Sequence, residues 1–248
     1  DNKRLVREKT SSDYQQEFRQ IFMQLQSGMD YIEWAEIYQK IISWELKIDH
    51  SNSNEMADIL SQQKKEANAA FCKYITGIYP HWMKNPSEGP VKSFNLLREK
   101  VFSHVQPECP TILLVLDNLR FDQWKVIEPI LLERFKLQNE DYFFSILPTA
   151  TQYSRNAIFA GMMPADIEKQ FPQYWVGDIE EGGKNNFEAE LLAAQIKKVF
   201  RRDIKHEYFK ITQVQAARQL QDNIFNCLNN DLTVIVYNFI DMLSHART

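Results

Sequence analysis

Apolar side chains in residues 1–85 recur every third or fourth position, whereas later in the chain they gather into short continuous runs. SSDYQQEFRQIFMQLQSG opens on Ser11 or Ser12, either of which suits a helix N-cap, and closes at Gly28. Phe18, Ile21, Phe22 and Leu25 form its apolar stripe. MDYIEWAEIYQKIISWELKID carries Ile32, Ile37, Ile41, Trp44 and Ile48 in the same rhythm, with Asp30 as N-cap. SNSNEMADILSQQKKEANAAFCKYITGIY predicts a third long helix, starting at Asn52, Ser53 or Asn54 and ending before Pro80. A small helical bundle over 1–85 follows, its aromatic stripe read as core rather than as a ligand box.

PHWMKNPSEGP, residues 80–90, holds three prolines and a glycine and reads as a linker. Beyond it the rhythm changes. TILLVL (111–116) has the length and continuity of a strand buried on both faces. DYFFSIL (141–147), HEYFKI (206–211) and LTVIVYNF (232–239) read as three further strands. Between them lie helical stretches: WKVIEPILLERFK, interrupted or started by Pro129; SRNAIFAG, capped by Gly161; NFEAELLAAQIKKVFRR; and QVQAARQLQDNIFNCLNN. This alternation predicts an α/β domain over 86–248, with a mostly parallel sheet covered on both faces.

Composition changes that picture little. The chain has 248 residues, 44% hydrophobic and 25% charged, with a net charge of −4 that offers no global attraction to nucleic acid. No apolar run approaches the roughly 20 residues that span a bilayer, and no signal-peptide pattern opens the chain, so membrane insertion is not expected. Cys72, Cys109 and Cys227 form no CxxC pair and read as reduced thiols of a cytoplasmic protein. Both ends read as cut: DNKRLVREKT resembles the last turns of a helix begun earlier, and DMLSHART stops without a cap, so an incomplete α/β domain is expected.

Polar residues cluster where strands end. Asp117 follows the first strand, Thr149 and Thr151 the second, and Asp241 the last, with His245 four residues on. In open parallel sheets the carboxyl ends of the strands share one edge, where ligands bind. Converging carboxylates repel one another and cost desolvation, so a cation accounts for them economically. Carboxylate and imidazole donors suit zinc or a similar divalent ion, beside which a hydroxyl becomes a nucleophile. Thr151 opens a helix, where backbone N–H groups favour phosphate. The blander readings stand beside these. An Asp after a strand is often a cap or turn residue, and an i,i+4 Asp–His pair is often a surface pair. His50, His81, His104 and His206 lack partners at ligand spacing and read as structural or surface residues. KKVFRR (197–202) reads as the basic end of its helix, or else as a rim guiding an anionic substrate.

VLDNLRFDQW, ILPTATQYSRNAIFAGMMP and VYNFIDMLSH, in that order and on those elements, resemble the alkaline phosphatase superfamily, and within it the PglZ domain. The resemblance implies that Asp117 binds one metal, that Thr151 is the nucleophile bridging two zinc ions, and that Asp241 with His245 binds the other. Asn118 and Arg120 are then substrate-binding candidates, although Arg120 also suits an ion pair with Asp122. The helical front joined to such a domain is similar to PorX-type response regulators of the type IX secretion system. That likeness implies a zinc-dependent phosphodiesterase acting on nucleotide or oligonucleotide diesters. It also implies homodimerisation and partners among a sensor histidine kinase, a sigma factor and secretion-motor components. A rival reading makes the chain a non-catalytic, metal-braced signalling scaffold; a third makes it a phage-defence component. A haloacid-dehalogenase site would need D-x-D after the first strand, and DNLR lacks it.

Overall fold

The computed structural model describes residues 2–51, 54–176, 184–238 and 240–241, and forms two compact units, 1–90 with 120–140, and 91–119 with 141–248. His245 lies outside the described residues.

The first unit is helical: α1 (Asn2–Leu25), α2 (Tyr31–Ser51), α3 (Asn54–Lys84) and α4 (Phe121–Leu132). Helix α1 runs straight through Ser11 and Ser12, so neither caps it. Asp30 does cap α2. Its Oδ1 accepts the N–H groups of Ile32 and Glu33 at 2.8 and 2.9 Å, and Glu33 accepts the Asp30 N–H at 2.9 Å, a reciprocal box. The core gathers Tyr14, Ile21, Trp34, Ile37, Ile41, Trp44, Ile48 and Leu60. Trp34, Ile37, Ile41, Trp44 and Ile48 step by three and four along one face. Phe22 and Ile32 sit off their stripes and are exposed, contrary to the sequence expectation. Helix α3 likewise continues through Pro80, which removes a single intrahelical donor. Packing sustains the last turn: Trp82 is buried with its ring 5.9 Å from Tyr31 and 6.0 Å from Tyr74. Gly89 lies against that ring, where a Cβ would fall 2.6 Å from Trp82 Cδ1. The expected linker is therefore half helix. Helix α4 belongs to this unit, with Phe121 5.9 Å from the Tyr38 ring.

Burial pushes the Tyr14 hydroxyl, which has no partner among the described residues, up to about 12. Burial, then Asp30, then Tyr31 raise Tyr74 to about 12 as well. Both values lie above the unfolded tyrosine value of about 10, so the folded state favours the protonated form. This contribution to stability is complete below pH of about 10 and disappears as pH rises to about 12. The bundle is expected to lose helix across that window, with tyrosinate absorbance rising in step. Tyr14→Phe is expected to narrow the loss, as followed by circular dichroism.

The second unit contains β1 (Thr111–Leu116), β2 (His206–Ile211) and β3 (Leu232–Tyr237), all parallel in the order β1-β3-β2, with Leu116 opposite Tyr237 and Ile211 opposite Tyr237. Helices α5 (Thr151–Ala160), α6 (Pro164–Gln170), α7 (Glu188–Val199) and α8 (Val214–Asp222) accompany the strands. Val234, Val236 and Leu232 of the central strand pack with Phe159, Leu191, Leu192 and Ile196 of α5 and α7. Gly161 ends α5 at φ 65°, as its place after the helix predicted, and approaches Gln195 too closely for any Cβ.

Two strand expectations change. Residues 141–147 make only one isolated bridge, Lys92 with Phe144. The Phe144 N–H donates to the Val91 carbonyl at 2.8 Å, and the Ile146 N–H to Ser93 Oγ at 3.1 Å, so the 91–93 segment takes the donors a sheet neighbour would use. β1 is not covered on both faces either. It is an edge strand of the described sheet, and Ile112 and Leu114 remain 44% and 54% exposed. The basic run after α7 lies at the amino edge of the sheet, since Arg202 reaches Asp231 ahead of β3 and the Val105 carbonyl ahead of β1. It forms no rim at the carboxyl edge.

Candidate active site

At the carboxyl edge the ladder runs one residue past β1: the Asp117 N–H donates to the Tyr237 carbonyl at 3.1 Å. Asn118 then turns the chain with φ 61°, a left-handed conformation that asparagine tolerates better than most residues. The Asp117 carboxylate is mostly buried, and its Oδ2 accepts two donors, Arg155 Nη1 at 2.7 Å and Asn238 Nδ2 at 3.3 Å. Asn238 follows β3 directly, so the neighbouring parallel strands deliver both residues side by side.

Arg155 comes from the second turn of α5 and is 5% exposed. Its Nε donates to Glu188 Oε1 at the start of α7, and its Nη1 also lies 3.5 Å from Asn238 Oδ1. Glu188, 1% exposed, accepts the Tyr208 hydroxyl on its other oxygen, with Lys210 Nζ 3.8 Å away. Burial pulls the Arg155 pKa down, but Glu188 and then Asp117 outweigh it and keep the guanidinium charged. Burial, then Glu188, pushes the Tyr208 hydroxyl far up, so it remains a donor. Burial lowers Lys210, with Glu188 opposing. Two carboxylates and two cations thus balance inside one polar cluster, as buried charge requires.

Thr151 opens α5 and is exposed. The N-cap residue is Ala150, whose methyl makes no side-chain cap, while its carbonyl accepts the Tyr153 and Ser154 N–H groups at 2.9 and 3.0 Å. Thr151 and Arg155 are four residues apart and share a helix face, so the Arg155–Asp117 pair draws the start of α5 toward the end of β1. A carboxamide pair steadies the same turn. Asn185 Nδ2 donates to the Thr151 carbonyl (3.3 Å) and to Asn156 Oδ1 (3.1 Å), while Asn156 Nδ2 donates to the carbonyls of Gln152 and Lys184 (2.9 Å each). Asp241 stands three residues beyond Asn238 in a helical turn, and His245 is outside the described residues. Arg120, in the helical unit, donates to both oxygens of Asp122 at 3.0 and 2.7 Å.

Sequence reasoning missed Arg155, Glu188 and Asn238. One signal existed: an arginine and an asparagine near the start of SRNAIFAG, a segment whose other residues are apolar or small. Among the described residues no three of His, Cys, Asp and Glu gather as a metal cluster. The donor chemistry of Asp117 nevertheless suits a cation. One oxygen is held by two donors, while Oδ1 accepts no hydrogen bond among the described residues, the arrangement of a carboxylate ligand oriented by its neighbours.

The family model of the BREX system PglZ alkaline phosphatase-like domain matches residues 96–248, and that of the PorX response regulator linker domain matches residues 4–83. The chain belongs to the PglZ alkaline phosphatase-like family. Together the two matches are those of a PorX-type response regulator, and they make the chain a response-regulator output region. No curated protein matches it. Among the described residues no helix is long and apolar enough to cross a membrane.

Proposed function

We propose that this output region is a zinc-dependent phosphodiesterase acting on nucleotide or oligonucleotide diesters, and that it serves the control of type IX secretion. The observation that carries the reading is Asp117, held at the carboxyl edge by Arg155 and Asn238 with one oxygen left over, beside a helix that starts uncapped at Thr151. Asp117, Thr151, Asp241 and His245 are the residues that would hold two zinc ions. When bound, zinc lowers the pKa of an adjacent hydroxyl and neutralises charge on the phosphoryl group. The chain supplies the rest. The positive end of α5 favours the non-bridging phosphate oxygens, and the Thr151 oxygen attacks phosphorus as the ester P–O bond breaks, the hydroxyl proton passing to the departing alkoxide. Water then cleaves the threonine–phosphorus ester bond, releasing the phosphomonoester and restoring the Thr151 hydroxyl. Asn118 is a substrate-binding candidate in the same reading. The reading further includes a cytoplasmic homodimer answering to a sensor histidine kinase and passing its signal to a sigma factor or to secretion-motor components.

The test is hydrolysis of a chromogenic phosphodiester by the chain with zinc and after chelation. Turnover that appears with zinc and disappears with the chelator is the expected result. Zinc bound in proportion to protein but without turnover would instead favour the non-catalytic scaffold.

A further inference from the structure

Asp117 owes its orientation to residues that lie far from it in sequence. Arg155 presents a rigid planar fork: Nε is fixed by Glu188, and Nη1, in the same plane, meets Asp117 Oδ2 and Asn238 Oδ1. Glu188 is itself fixed. It begins α7, is 1% exposed, and has its second oxygen on the Tyr208 hydroxyl of β2, with Lys210 of the same strand 3.8 Å away. Elements α5, α7 and β2 therefore converge, through one guanidinium, on a single oxygen of a residue that follows β1. A carboxylate otherwise turns easily about its last torsion. With Oδ2 committed to Arg155 and Asn238, turning Asp117 breaks two bonds at once. Stability alone does not call for this cluster, since apolar side chains of like volume often serve as well as a buried ion pair.

We propose that Glu188 is a positioning residue: acting through Arg155, it fixes Asp117 so that Oδ1 is the oxygen offered to the metal. The inference rests on the zinc reading given above. It assigns to a carboxylate that touches neither metal nor substrate a share of the metal affinity, of the size that partners of metal ligands typically carry.

The test is zinc affinity, read by competition with a chromophoric chelator, for the wild-type chain, Asp117→Asn and Glu188→Gln, with melting of each metal-free protein alongside. Glu188→Gln keeps the shape but cannot accept from both Arg155 and Tyr208, and it removes the charge that anchors the fork. The expected result is a loss of zinc affinity of about tenfold in a chain that still melts cooperatively. Asp117→Asn is expected to lose more. If Asp117→Asn binds zinc as the wild type does, the zinc reading falls and this role with it. If Asp117→Asn loses the metal while folded Glu188→Gln stays within about twofold of wild type, the zinc reading stands and the positioning role is overturned. Should Glu188→Gln fail to fold, Tyr208→Phe decides. It keeps every charge and removes only the hydroxyl on Glu188, so a smaller loss in the same direction supports the role and unchanged affinity overturns it.

Discussion

Replacing Thr151 with alanine is expected to lower phosphodiester hydrolysis by about a thousandfold or more while leaving the protein folded and able to bind zinc at saturating metal. The size follows from the role. The hydroxyl is the group that forms the new bond to phosphorus, and what survives its loss is binding and charge stabilisation alone. The fold has little to lose, because Thr151 is exposed and its hydroxyl makes no hydrogen bond among the described residues. Its carbonyl, which accepts from Asn185, is untouched by the change. Alanine is also a better helix former than a β-branched residue. An unchanged melting temperature beside lost turnover would therefore assign the loss to chemistry. Thr149→Ala, two residues earlier and equally exposed, is the control and is expected to stay near wild-type activity. Turnover that survives in Thr151→Ala would remove Thr151 as nucleophile.

Arg155→Met is expected to destabilise the second unit by about 3–5 kcal/mol, because it strands two buried carboxylates around one missing cation. Methionine replaces the aliphatic stem, so the loss reports charge and hydrogen bonding more than volume. Asp117 would keep Asn238, and Glu188 would keep Tyr208 and the more distant Lys210, which limits the damage. For a domain of this size the melting temperature should fall by about 10 °C. Adding Glu188→Met to the same chain is expected to recover part of that loss, since it removes one of the stranded charges. Denaturant unfolding of both variants checks the order. A single variant as stable as the wild type would show that the Arg155 cluster contributes nothing net to the fold.

These two positions also mark how much of the site was legible in sequence. Asp117 and Asp241 were read from strands with definite ends, which in a parallel sheet face one way, whereas Thr151 was read from a strand at 141–147 that the structure replaces with one isolated bridge. Local pattern likewise sufficed to locate β1, β2, β3 and α2, although the exposure of Ile112, Leu114 and Ile32 departs from it. The Asp30 cap of α2 and the Gly161 end of α5 were local as well.

Where the partner lies far along the chain, pattern carries no information about it. Arg155 meets Asp117 across 38 residues, Glu188 across 33 and Asn238 across 83. Phe144 and Ile146 have strand-like composition, but their backbone donors are taken by residues 91 and 93. The turn after Pro80 stays helical because Trp82 has rings to pack against, a gain that local propensity does not count. Sequence alone thus located β1, β2, β3 and the succession of helices, and set Asp117 directly after β1, but not the missing ladder at 141–147 or the passage of α3 through Pro80. The tertiary structure decided which buried charges neutralise one another, because the free energy of a buried carboxylate depends on the cation that folding brings to it.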